Sequence, residues 1–155
     1  MKIKHIWSIL CKESVINQDD NLISLHGALE EINVTLAPVD KSLKLPDKIN
    51  VPMNYEVVSF WLKDKNIESA KAEIEYKLID PENKELVKTI QSIEIPVNMS
   101  RLRSRMKIAG MPITKKGGYV LRVSIKEQDD KKFETVSELP LEIKIQVKNS
   151  SISKS

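Results

Sequence analysis

The stretch Pro112 to Lys126 constrains the fold most. After the Gly117-Gly118 turn signal, Tyr119, Leu121, Val123 and Ile125 alternate with Val120, Arg122, Ser124 and Lys126. A period of two is the mark of a strand with one face on a core. Glycine takes positive φ without strain, so a glycine pair leading into a tyrosine-headed strand suits a chain reversing into a sheet.

The same alternation recurs along the chain. Residues 4 to 15 and 22 to 32 read as a hairpin around Asn17-Gln-Asp-Asp-Asn21, with Gly27 marking a bulge or a close backbone approach. The first run has apolar residues on both parities, as a strand covered on both faces or carrying a bulge would. Residues 33 to 50 carry Pro38, Asp40, Lys41, Pro46, Asp47 and Asn50 and read as a crossover loop between sheets. Strands follow at 53–62, 70–78, 86–95 (with a bulge expected near Gln91 or Ser92), 101–108, 118–126 and 139–147. Gly110-Met-Pro112 and Gln128 to Lys132 read as turns. Ala, Lys and Glu in 70–78 favour helix, but strict alternation over nine residues and the following Asp80-Pro-Glu-Asn turn select sheet.

About eight strands with no helical periodicity indicate an all-β, two-sheet antiparallel sandwich, immunoglobulin-like or C2-like, with a Greek-key crossover. Residues 1–148 are expected to form a single domain and 149–155 a disordered polar tail. A chain of 155 residues buries roughly 70% of its unfolded surface, so it needs no staple. Its one cysteine, Cys11, lies in an apolar run and is expected to be a buried thiol. The N-terminus lacks the features of a secretory signal and no run approaches 18 apolar residues. The expected location is therefore cytoplasmic, with no membrane insertion.

The stretches Asn21 to Gly27, Pro52 to Leu62 and Gly118 to Ile125 together resemble a family of short bacterial proteins of unknown function predicted to form an immunoglobulin-like sandwich. The resemblance implies that fold and transfers no catalytic residue. This chain departs from the family pattern in its lysine-rich crossover and high charge.

Net charge is only +3, but no Asp or Glu occurs between Ile95 and Lys126, where eight bases stand. Arg101, Arg103, Arg105 and Lys107 project from one strand face at about 7 Å intervals, near the step between phosphates. With Arg122 and Lys126 they form the candidate anion or partner surface. The alternative is cross-strand pairing with Glu73 and Glu75 or with Glu138 and Glu142. If each strand reverses the last, the turns bearing Asp19 and Asp20, Asp64, and Asp129 and Asp130 share one end, where clustered carboxylates suit calcium. Ordinary turn-making by Asp competes with that reading.

The only histidines, His5 and His26, lie in apolar strand patterns, and no phosphate-loop, dinucleotide or His-Glu-x-x-His motif occurs. No cofactor is expected. The sequence points to a non-enzymatic interaction module that binds a macromolecule, most naturally a protein, through a sheet face or edge. The alternatives are calcium or small-ligand binding at the loop end and polyanion binding through 101–107. Edge strands also allow pairing between copies.

Overall fold

A computed structural model describes residues 2–36 and 47–147. The expected polar tail and most of the expected crossover lie outside the described residues. Among the described residues there are nine strands: β1 (Ile3–Ile16), β2 (Ile23–Ala28), β3 (Glu31–Leu36), β4 (Ile49–Lys63), β5 (Ala70–Ile79), β6 (Glu85–Ile95), β7 (Arg101–Ile113), β8 (Gly117–Glu127) and β9 (Glu134–Val147). They form a four-stranded sheet in the order β2-β1-β4-β7 and a five-stranded sheet in the order β3-β9-β8-β5-β6. All pairs are antiparallel except β3 with β9. The neighbours β4-β7 against β9-β8-β5-β6 reproduce the immunoglobulin order of B-E against G-F-C-C′.

The alternation expected from sequence forms the core. Trp61, Val57 and Tyr55 of β4 meet Ile74, Tyr76 and Leu78 of β5, and Tyr119, Leu121, Val123 and Ile125 of β8, all at most 1% exposed. Tyr119 also fastens the corner before β8. Its hydroxyl accepts hydrogen bonds from the backbone N–H groups of Thr114 and Lys115, each at 3.0 Å, and donates to the Lys115 carbonyl at 2.5 Å. This is the tyrosine corner of immunoglobulin-like sandwiches. Gly117, at φ 137°, lies where a Cβ would stand 2.9 Å from the Pro81 ring.

Three expectations need correction. The segment 33–50 is not wholly a loop, because Ile32, Val34 and Leu36 continue one apolar face and place β3 parallel to β9. Gly110-Met-Pro112 is not a turn. Gly110, at φ 79°, opposes Pro52 and Met53 in a bulge, and β7 runs through it to Ile113. The bulge expected near Gln91 falls instead between Leu78 and Ile79. Leu86 of β6 is the extra residue there, and Ile90, 46% exposed, faces outward on the regular stretch from Val87 to Ile95.

Candidate functional site on the outer face of the four-stranded sheet

The two outer faces differ in chemistry. That of the five-stranded sheet is laced with ion pairs: Glu75 with Lys77 and Lys88, Arg122 with Glu138, Lys126 with Glu73, and Lys144 with Glu31. Lys126 also stands 5.0 Å over the Phe133 ring. This is the solvated face that alternation in an antiparallel sheet leads one to expect.

The four-stranded sheet turns apolar and aromatic groups outward. In register across β1, β4 and β7 stand Trp7, Phe60 and Arg103, then Ile9, Val58 and Arg105, then Cys11, Glu56 and Lys107. The Trp7 and Phe60 rings lie 5.9 Å apart, both are part-exposed, and neither belongs to the main core. The β1 strand can supply this second face because of a shift between His5 and Trp7. The shift turns His5 inward against Trp61, at 5.1 Å between ring centroids, and Trp7 outward.

Beyond Cys11, β1 stops pairing with β4 and continues with β2 alone as a two-stranded arm. The arm is tied over the outer face by bases of β7. Arg103 Nη2 donates to the Asn21 carbonyl at 2.6 Å, and Arg105 Nη1 reaches the carbonyl and Oγ of Ser14 at 3.5 and 3.4 Å. The Ser14 hydroxyl donates to the Glu56 carboxylate, which Lys107 approaches at 3.8 Å. Glu56, Ser14, Val58 and Cys11 are buried there as a small satellite of the core. Burial raises the Cys11 thiol pKa, and the Glu56 carboxylate raises it further. A thiol so placed is a weak nucleophile. A groove of about 550 Å³ opens where the arm leaves β4, lined by Lys12, Glu13, Asn54, Glu56 and Lys107 among others.

The bases foreseen on 101–107 therefore share one face, but three of the four are engaged within the chain. Arg101 is exposed, with no ion pair or side-chain hydrogen bond among the described residues. Arg122 and Lys126 lie on the other sheet and make the cross-strand pairs with Glu138 and Glu73. Glu75 pairs with Lys77 and Lys88 rather than with the basic strand.

The acidic turns do not meet at one end. Ile3 pairs with Lys63, which puts Asp64 beside the start of β1, whereas Asp19 and Asp20 follow its far end. Asp129 and Asp130 lie near Lys2, at the Asp64 end. β3 adds one strand between the Asp19–Asp20 turn and Asp64, and one added strand reverses the ends of all later turns. Asp20, Asp64 and Asp130 each accept a local backbone N–H, the ordinary turn-making use of aspartate. Among the described residues no group of three or more His, Cys, Asp or Glu side chains is arranged to hold a metal ion.

A contact that sequence reasoning missed joins His5 Nε2 to Ser8 Oγ at 2.8 Å, with Ser8 Oγ 2.7 Å from Ser59 Oγ. The shift at His5/Trp7 brings positions 5 and 8 together, and no alternation rule would find it. Burial lowers the His5 pKa, so the ring is neutral near pH 7. Among the described residues no helix is long and apolar enough to cross a membrane. No family model matches the chain, and neither does any curated protein.

Proposed function

We propose that this chain is a non-catalytic interaction module, of the short bacterial sandwich family it resembles, acting in the cytoplasm and binding a protein partner through the outer face of β1, β4 and β7. One observation carries the reading: Trp7 and Phe60 stand part-exposed beside Arg101 and Arg103 on the outer face of the sheet. Aromatic residues and arginine are the side chains enriched at protein interfaces and their energetic centres. The ion-paired face of the other sheet has neither, apart from Arg122 and the edge of the Phe133 turn. A photo-crosslinking amino acid at Lys4 or Arg101 is expected to give a discrete adduct in cells that the same label at Lys71 does not. Equal adducts from both faces, or none from either, overturn the assignment. Adducts to nucleic acid that vanish with salt would move the partner class to a polyanion.

The His5–Ser8 hydrogen bond supports a second reading, a serine hydrolase in which His5 takes the Ser8 proton. A groove of about 440 Å³ runs past His5 and Glu134. Labelling of Ser8 by a fluorophosphonate, abolished in Ser8→Ala and in His5→Gln, favours that reading. An unlabelled wild-type protein ends it.

A further inference from the structure

The free edge of the five-stranded sheet carries an inference independent of that reading. Sheet edges are ordinarily protected by brevity, charged side chains, proline, bulges or covering elements, and on β6 the charges are of both signs. Strand β3 at the opposite edge has six residues, and β7 faces the β4 bulge at Gly110 and is engaged by the arm. Strand β6 has eleven residues, contains no proline, is bulged only at Leu86 near its start, and pairs with β5 on one side, which leaves Val87 to Ile95 as a regular free edge. Its outward-facing residues are Lys88, Ile90, Ser92 and Glu94, all exposed. Ile90 is the one large apolar side chain among them, 46% exposed.

We propose that β6 pairs antiparallel with β6 of a second copy about a two-fold axis at Gln91, joining two five-stranded sheets into one of ten. The register follows from side-chain chemistry. Directly opposed residues in an antiparallel pair share a face, so a two-fold axis must pass through a residue position. Centring on residue 88 opposes two lysines, on 89 lysine and isoleucine, on 90 the two Ile90 side chains but lysine and serine and Leu86 and Glu94, and on 92 isoleucine and glutamate. Centring on Gln91 alone sets Lys88 against Glu94 of the second copy, twice. It also brings the two Ile90 side chains to diagonal positions across the axis, within reach of each other. Residues 87 to 95 then pair over their full length, with Pro96 just outside. Among the described residues Glu94 makes no ion pair, while Lys88 shares Glu75 with Lys77 at 3.6 and 3.4 Å, so its turn toward a second copy leaves Glu75 compensated.

Sedimentation of the full chain across a concentration series tests the proposal. A dimer is expected for the wild type, weakened about tenfold or more by Lys88→Glu or by Glu94→Lys, each of which opposes like charges at two places. The double variant Lys88→Glu/Glu94→Lys is expected to restore it. Ile90→Lys provides a variant at an exposed position, and circular dichroism with thermal melting establishes that each protein is folded. A monomeric wild type, a dimer indifferent to Lys88→Glu, or a folded double variant that stays dissociated each overturns the proposal. Equal dimerisation by a Trp7→Ser/Phe60→Ser variant separates this edge from the outer face discussed above.

Discussion

Two tyrosines lose the same atom with opposite expected results. In Tyr119→Phe, the deleted hydroxyl leaves the N–H groups of Thr114 and Lys115 and the Lys115 carbonyl without their partner, at a site where the ring is 1% exposed. At about 1 kcal/mol net per hydrogen bond, and with partial recovery by water at the turn, the loss is about 2 to 3 kcal/mol. For a domain of this size that is a fall in Tm of roughly 4 to 12 °C. Tyr55 is also 1% exposed, but its hydroxyl is buried with no hydrogen-bond partner among the described residues. Burial pushes its pKa up to about 12. Removing an unsatisfied group relieves a desolvation cost, so Tyr55→Phe is expected to be neutral or to stabilise by up to about 1 kcal/mol. Urea unfolding of the two variants beside the wild type measures both at once. A Tyr119→Phe variant within about 0.5 kcal/mol of wild type refutes the corner as a fastening, and a Tyr55→Phe variant losing as much as Tyr119→Phe refutes the account of its hydroxyl.

Other expectations concern the arm, a turn and pH. Arg103→Ala/Arg105→Ala is expected to free the arm and raise the rate at which a disulfide reagent labels Cys11 by about tenfold, since the lost contacts are worth roughly 1 to 2 kcal/mol in local opening; an unchanged rate would show that the ties do not hold it. Gly117→Ala drives a methyl group into Pro81 at a φ that L-residues rarely adopt, so a loss of more than 1 kcal/mol, about twice that of Gly118→Ala, is expected in thermal melting. Burial works to raise the Asp80 pKa, but hydrogen bonds from the Lys84 N–H, the Thr114 hydroxyl and the Glu82 N–H, with the Lys115 charge, outweigh it and hold the carboxyl below its ordinary value. A depressed carboxyl contributes stability above its unfolded pKa, ~3.9, and loses it as pH falls through the folded value. Asp80→Asn should therefore be less stable at neutral pH yet flatter in stability below pH ~4, and parallel acid limbs would contradict the assignment.

The sandwich was legible wherever one face met the core and the other met water. Strands β5 and β8 were read nearly to their ends because Ala70 to Leu78 and Tyr119 to Ile125 alternate without interruption. Alternation failed where the chain had two reasons to be apolar. Ile32, Val34 and Leu36 carry a strand signal, but the turn at Leu29 and Glu30 divided it between a hairpin and a loop. Parallel pairing with β9 is a tertiary choice that no local pattern records. That single omission reversed the predicted end of the Asp64 and Asp129 turns, because parity errors propagate along a strand count while errors in strand boundaries do not.

The candidate face shows a deeper limit. Apolar residues on both parities of β1 and β4 reveal that both sides are covered, and leave open what covers the second. Here the cover comes from the same strand: β1 leaves β4 at Cys11, and β2 accompanies it over Glu56 and Val58. The bases of β7 then bind the arm's carbonyls rather than carboxylates of a neighbouring strand, so a count of cross-strand charge pairs could not have found them. The arm reaches far enough to bury Cys11 and Val58 completely but leaves Trp7 and Phe60 part-exposed. A second apolar layer made only for stability would end where its cover ends. The aromatic pair extends beyond that boundary, beside an arginine with no intramolecular partner among the described residues, and this excess is what an external partner would cover.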